Sequence, residues 1–210
     1  MHHLPFKLGA NVYGRTKHCG QLTKIVIDPH NWQLTDLIIE EGLLFKRALV
    51  LPVSRVKESV GQTITLTIAN EQLRQFQVFD ETIVEKGASD WPATKSVGEI
   101  EYASLPAANI PNLAMTREKT RLGVRSDAMI LDGNTNITCL DGNIGHLSHV
   151  IAAAKNYLIS DLVFKQGTLF PKYYIVSTHY VDSLSETQAQ IGITSAKAEQ
   201  LPEYTFLHNR

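Results

Sequence analysis

Gly20-Gln21-Leu22-Thr23-Lys24-Ile25-Val26-Ile27-Asp28-Pro29, followed after a turn by Leu34-Thr35-Asp36-Leu37-Ile38-Ile39-Glu40-Glu41-Gly42, decides the fold. Gly20 to Ile27 alternates apolar and polar side chains, the pattern of a half-buried strand. Asp28-Pro29-His30-Asn31 turns the chain, because Asp bonds its own backbone and Pro presets its φ. Leu34 to Ile39 is the next strand, and Glu40-Glu41-Gly42 turns it.

The same rhythm returns about 125 residues later without a gap. Asn11 meets Asn136, Gly20 meets Gly145, Leu22 meets Leu147 and Asn31 meets Asn156. Asp36-Leu37 meets Asp161-Leu162, Gly42 meets Gly167, Leu44-Phe45 meets Leu169-Phe170, and Val56 meets Val181. Internal repetition at a fixed offset sets architecture before any local argument does.

Working outward, Leu8–Tyr13 reads as a turn and short strand, Leu43–Leu51 as a strand ended by Pro52, and residues 53–60 as a turn or short helix. Ile64–Ile68 is a strand, and Asn70–Phe76 a short capped helix. The second copy gives strands at Asn136–Cys139, Gly145–Ala152, Leu158–Phe164, Leu169–Val176 and Gln190–Thr194, with a short helical end over 195–201. Short strands at near-regular spacing indicate small closed β-barrels. The expected architecture is therefore all-β: two tandem barrels packed as a pseudo-symmetric pair, over 1–80 and 121–210. A connector spans 81–120, in which Val97–Ala103, or Gly123–Leu131 just beyond it, adds a strand or clamps the barrels.

The motif order G-x-L-x-x-I-V-I-D-P, turn, L-x-D-L-I-I-E-E-G, then an apolar strand ending in Leu51-Pro52, resembles the PRC-barrel family. That family is named for the cytoplasmic domain of the photosynthetic reaction centre H subunit, and related barrels occur in a ribosome maturation factor. The resemblance covers residues 6–79 well. It covers 121–205 more loosely, since Ser177 replaces the strand-ending Pro and Ala152-Ala153 replaces Ile-Asp. It implies a fold and no catalytic residues. It also implies docking on a protein complex, photosynthetic or electron-transfer, or self-association, with association to RNA or the ribosome as the alternative.

Composition narrows the classes further. The net charge is −1. Residues 1–79 carry nine Lys/Arg against six Asp/Glu, 80–119 four against seven, and 120–210 seven against eight. The excess on the first copy, with Arg15, Lys17, Lys24, Lys46 and Arg47, is small for phosphate neutralisation. Cys19 and Cys139 are not at equivalent positions and lie in no CxxC, which favours a reducing, cytoplasmic compartment. No stretch approaches the roughly 20 apolar residues of a membrane span.

Candidate sites are few. Asp36 and Asp161 recur at equivalent positions and are expected to bond nearby backbone. Both faces of their strands are largely apolar, so Leu37, Ile39, Leu162 and Phe164 are candidate interaction residues, and the outer face is expected to meet the sister barrel, the connector or another subunit. Trp32 and Tyr157, each just past a hairpin turn, are candidate anchors or lids. His146 and His149 are expected on opposite faces of one strand, and His18, His30 and His179 show no ligand spacing, so no metal is expected. Residues 132–143 imitate a calcium loop but place Ile137 and Asn143 where Gly and Glu belong. With no GxSxG, P-loop or GxGxxG, no cofactor and no enzymatic activity are expected. A small-molecule site between the barrels would need a deep polar pocket.

Overall fold

The computed structural model describes residues 2–42, 46–86 and 116–205. It is mostly strand. The chain forms two compact units, one of residues 1–79 with 122–210 and one of residues 80–121. The smaller unit holds an antiparallel pair, β8 (Asp80–Lys86) and β9 (Thr116–Leu122), joined by a 3.0 Å ion pair between Arg121 and Glu81. These strands lie in and beside the connector expected over 81–120; Val97–Ala103 lies outside the described residues.

The larger unit contains two seven-stranded sheets. The first is built on β2 (Asn11–Tyr13), β3 (His18–Asp28), β4 (Gln33–Glu41), β5 (Arg47–Pro52), β6 (Val56–Val60) and β7 (Thr63–Leu66), in the order β5-β4-β3-β2-β7-β6. The second is built on β11 (Asn136–Cys139), β12 (Gly142–Ala153), β13 (Ile159–Gln166), β14 (Lys172–Ser177), β15 (Val181–Leu184) and β16 (Gln188–Ile191), in the order β14-β13-β12-β11-β16-β15. The register matches residue for residue at the 125 offset. Leu22 faces Ile39 and Leu147 faces Phe164, with bulges at Leu22/Lys24 and at Leu147/His149.

Gly20 and Gly145 explain part of that match. Their φ values are 148° and 154°, and an added Cβ would stand 2.2 Å from the Glu40 carbonyl oxygen and 2.3 Å from that of Lys165. Only glycine lets the neighbouring backbone come so close.

Neither sheet closes into a ring among the described residues, in contrast to the barrels expected from strand spacing. The physical reason lies at the outer edges. A 3₁₀ turn (Val53–Arg55) carries the chain from β5 to β6, and the free edge of β5 is taken by the segment after the 3₁₀ turn Asn70–Gln75. Val50 donates to Gln77 and Phe79 to Ala48, both at 2.9 Å. On β14, Ile175 donates to Pro202 and Tyr204 to Tyr173. Capping by these short segments satisfies edge groups that closure would otherwise pair.

The remaining strands are exchanged. β1 (His3–Lys7) joins the second sheet, placing Phe6 opposite Val150, while β10 (Met129–Asp132) joins the first, placing Leu131 opposite Ile25. β10 overlaps the stretch Gly123–Leu131 expected to add a strand; no strand was expected at β1. Each long strand, β3 or β12, thus pairs along one edge with a strand of its own half and then with one from the other. One core follows, running through Phe6, Leu22, Leu37, Ile64, Leu131, Val150, Leu162 and Ile191.

Other boundaries shift modestly. The strand expected over Leu169–Val176 begins only at Lys172, because Gly167 at φ 86° and Pro171 bracket a hairpin tip. The helical end over 195–201 reduces to the single turn α1 (Ser195–Ala198).

Candidate functional site

Trp32 and Tyr157 hold the two halves together through their backbones. Both adopt left-handed φ, 57° and 58°, an uncommon conformation for aromatic residues. It aims their carbonyls at the other hairpin. Ile159 donates to Trp32 and Leu34 to Tyr157, each at 2.9 Å, and Gln33 bridges Leu158. Both side chains are partly buried against the common core, so these tips face each other within the chain.

Leu37, Ile39, Leu162 and Phe164 are buried in the same core. They present no outward surface. The outer face of β4 belongs instead to Ile38, which packs with Val26, Val50, Phe79, Ala128 and Ile130. The chain covers that face itself, partly with β10.

The side-chain carboxylates of Asp36 and Asp161 accept no hydrogen bond among the described residues. Both are only half-buried, so solvent satisfies them and the expected backbone partners are not needed. Asp36 borders a shallow depression with Asp28 and Arg125, whose guanidinium pairs with Asp127 at 2.7 Å and Asp28 at 3.6 Å. Asp132 accepts from the Asn134 amide at 2.8 Å, the turn geometry that its Asp-Gly sequence favours.

His146 and His149 lie on one face, not two. The bulge between Leu147 and His149 inserts a residue and reverses the alternation. His146 is exposed. His149 is wholly buried between the rings of Tyr173 and Tyr204, centroids 6.2 and 5.2 Å away. Burial, with a smaller contribution from nearby Lys7, pushes its pKa down to about 3. Burial also lowers the Lys7 ammonium and raises the Tyr204 phenol. The equivalent place in the first sheet holds Lys24, 3.8 Å from Asp132 and 5.6 Å from the centre of the Phe79 ring. A neutral imidazole without solvent access packs; it does not meet a diffusing substrate. Periodicity could not find it, since the bulge hid its orientation.

Among the described residues no group of three or more His, Cys, Asp or Glu converges in metal-binding fashion, and no helix is long and apolar enough to cross a membrane. The surface feature missed by sequence reading is the β13–β14 tip. Leu169 and Phe170 are 86% and 91% exposed there. The bracketing Gly167 and Pro171 were the available signal. No protein-family model matches the chain, and no curated protein does.

Proposed function

We propose that this protein is a non-enzymatic binding module built from two PRC-like β-sheet units, docking on a protein complex through its hairpin tip. One observation carries the reading: adjacent, almost fully exposed Leu169 and Phe170 at the β13–β14 hairpin tip. Large apolar side chains grouped outside a core mark contact sites more than scattered ones do, and an aromatic at the centre of a contact supplies much of its energy. Support for the PRC-like assignment comes from the quoted motifs and the shared strand order of the sheets. In that setting the partner is an assembly such as a photosynthetic or electron-transfer complex, an inference by fold analogy.

The test compares affinity capture from native lysate by the natural chain and by a Leu169→Ser/Phe170→Ser variant, with circular dichroism to check folding. A partner retained by the first and lost by the folded second supports the reading. Identical captures, or none, refute it.

A further inference from the structure

The outer face of β2, β7 and β6 carries side chains that the fold does not require. Val12, Ile64 and Leu66 are buried, so alternation turns Tyr13 and Thr65 outward. These two lie side by side in parallel register. The Tyr13 ring is 38% exposed and meets His18 edge-on at 5.2 Å. Next to this pair, Arg15, Lys57, Thr65 and Thr67 line an open groove of about 420 Å³.

Local bonds fix the groove. Arg15 Nε donates to the Thr67 carbonyl at 2.8 Å, leaving its terminal nitrogens for other acceptors. The Arg55 carbonyl accepts from both the amide and the hydroxyl of Thr67, which brings the exposed Arg55 next to the groove. Lys17 sits in the adjoining β2–β3 turn. None of Arg15, Lys17, Arg55 or Lys57 makes an ion pair among the described residues, whereas Lys24, Lys46 and Arg47 all do. Glu58, in register with Thr65, is the nearest acidic neighbour on these strands.

The other half supplies an internal control. At the 125 offset, Tyr13, Arg15, Arg55 and Lys57 become Thr138, Leu140, Tyr180 and Asp182, with the same strand order. The architecture thus accepts uncharged and acidic residues at these positions. Four cations around a single carboxylate, Glu58, leave an excess of positive charge that favours an anion among them.

We infer that this face binds single-stranded nucleic acid, with Tyr13 as a stacking platform and Arg15, Lys17, Arg55 and Lys57 on the phosphates. An exposed ring beside a cationic groove matches a chain of bases and phosphates. An acidic peptide or an anionic lipid headgroup offers no base to stack, and duplex bases are already stacked on each other.

Fluorescence polarisation with short fluorescein-labelled oligouridylate and oligothymidylate tests this. Binding weakens with salt, with a log–log slope of about −3 for four neutralised phosphates. Tyr13→Thr lowers affinity about tenfold. Lys57→Asp lowers it and flattens the slope, while Lys57→Arg retains both. Lys165→Ser, removing an exposed cation from the other half, leaves affinity unchanged, as does the Leu169→Ser/Phe170→Ser variant, so this inference and the tip reading fail separately. No binding at low salt, equal loss on Lys165→Ser, or competition by polyglutamate as strong as by unlabelled oligouridylate overturns it.

Discussion

Lys24 and His149 occupy the same position in the two sheets, yet one is ion-paired and the other is held neutral. Lys24 faces Asp132 across β3 and β10, and His149 faces Lys7 across β12 and β1. Swapping an acidic strand neighbour for a basic one disfavours an imidazolium at that place.

That difference has a pH signature. The His149 pKa falls from an ordinary 6.5 to about 3 in the folded chain. The unfolded chain therefore takes up a proton near pH 6.5 that the folded chain refuses until about pH 3. Stability from this residue is fully present above pH 6.5 and is lost as pH falls toward 3, by a total on the order of 5 kcal/mol. Urea denaturation across that range should show the decline, and His149→Met should flatten it. An unchanged slope in the variant would assign the decline to other groups.

The exchanged strands make the two sheets one cooperative body. Phe6 and Leu131 are fully buried at equivalent places. Phe6→Ala should cost about 3–5 kcal/mol and Leu131→Ala about 2–5 kcal/mol. Each should shift a single unfolding transition of the two-sheet unit, read by tryptophan fluorescence and circular dichroism together. Two separated transitions would show halves that unfold independently.

Gly20→Ala and Gly145→Ala should each destabilise by more than about 2 kcal/mol, since a methyl group has no room against the facing carbonyl. Gly133, with nothing within 4 Å of its Cβ position, should tolerate alanine within about 0.5 kcal/mol. Chemical denaturation of the three variants checks the ranking.

The two cysteines should stay unreactive in the folded state. Cys19 accepts from the Gly14 amide at 2.9 Å and from Asn70 at 3.1 Å, and burial raises both thiols. Cys139 stands where Gly14 does in the other half, and the Gly14 Cβ position lies 3.2 Å from the Cys19 sulfur. One sulfur thus fills the same space in each half from a different strand. A chromogenic disulfide reagent should titrate both thiols only on addition of denaturant; rapid reaction with the native chain would contradict this.

Much of the strand pattern was legible because β3 and β4 are apolar runs that end at Asp28-Pro29 and Gly42, and β13 ends at Gly167. The exchange was not. Leu4-Pro5-Phe6 is a short strand interrupted by a proline, and nothing local says which of two similar edges it joins. Nor could periodicity reveal left-handed aromatics at Trp32 and Tyr157 or a bulge that turns His149 onto the face of His146. Leu37, Ile39, Leu162 and Phe164, candidate interaction residues from the sequence, lie in the internal core.

Synthesis from the N-terminus gives the exchange a temporal meaning. The Lys24–Ile27 edge of β3 waits for Met129–Asp132, about 100 residues later, or roughly 5–20 s of translation. Meanwhile His3–Lys7 has emerged before its own mate on β12 exists. The nascent first half is thus an unfinished template, open to the matching segment of a neighbouring chain on the same message, and chaperone shielding of that gap would favour monomers over interlinked pairs.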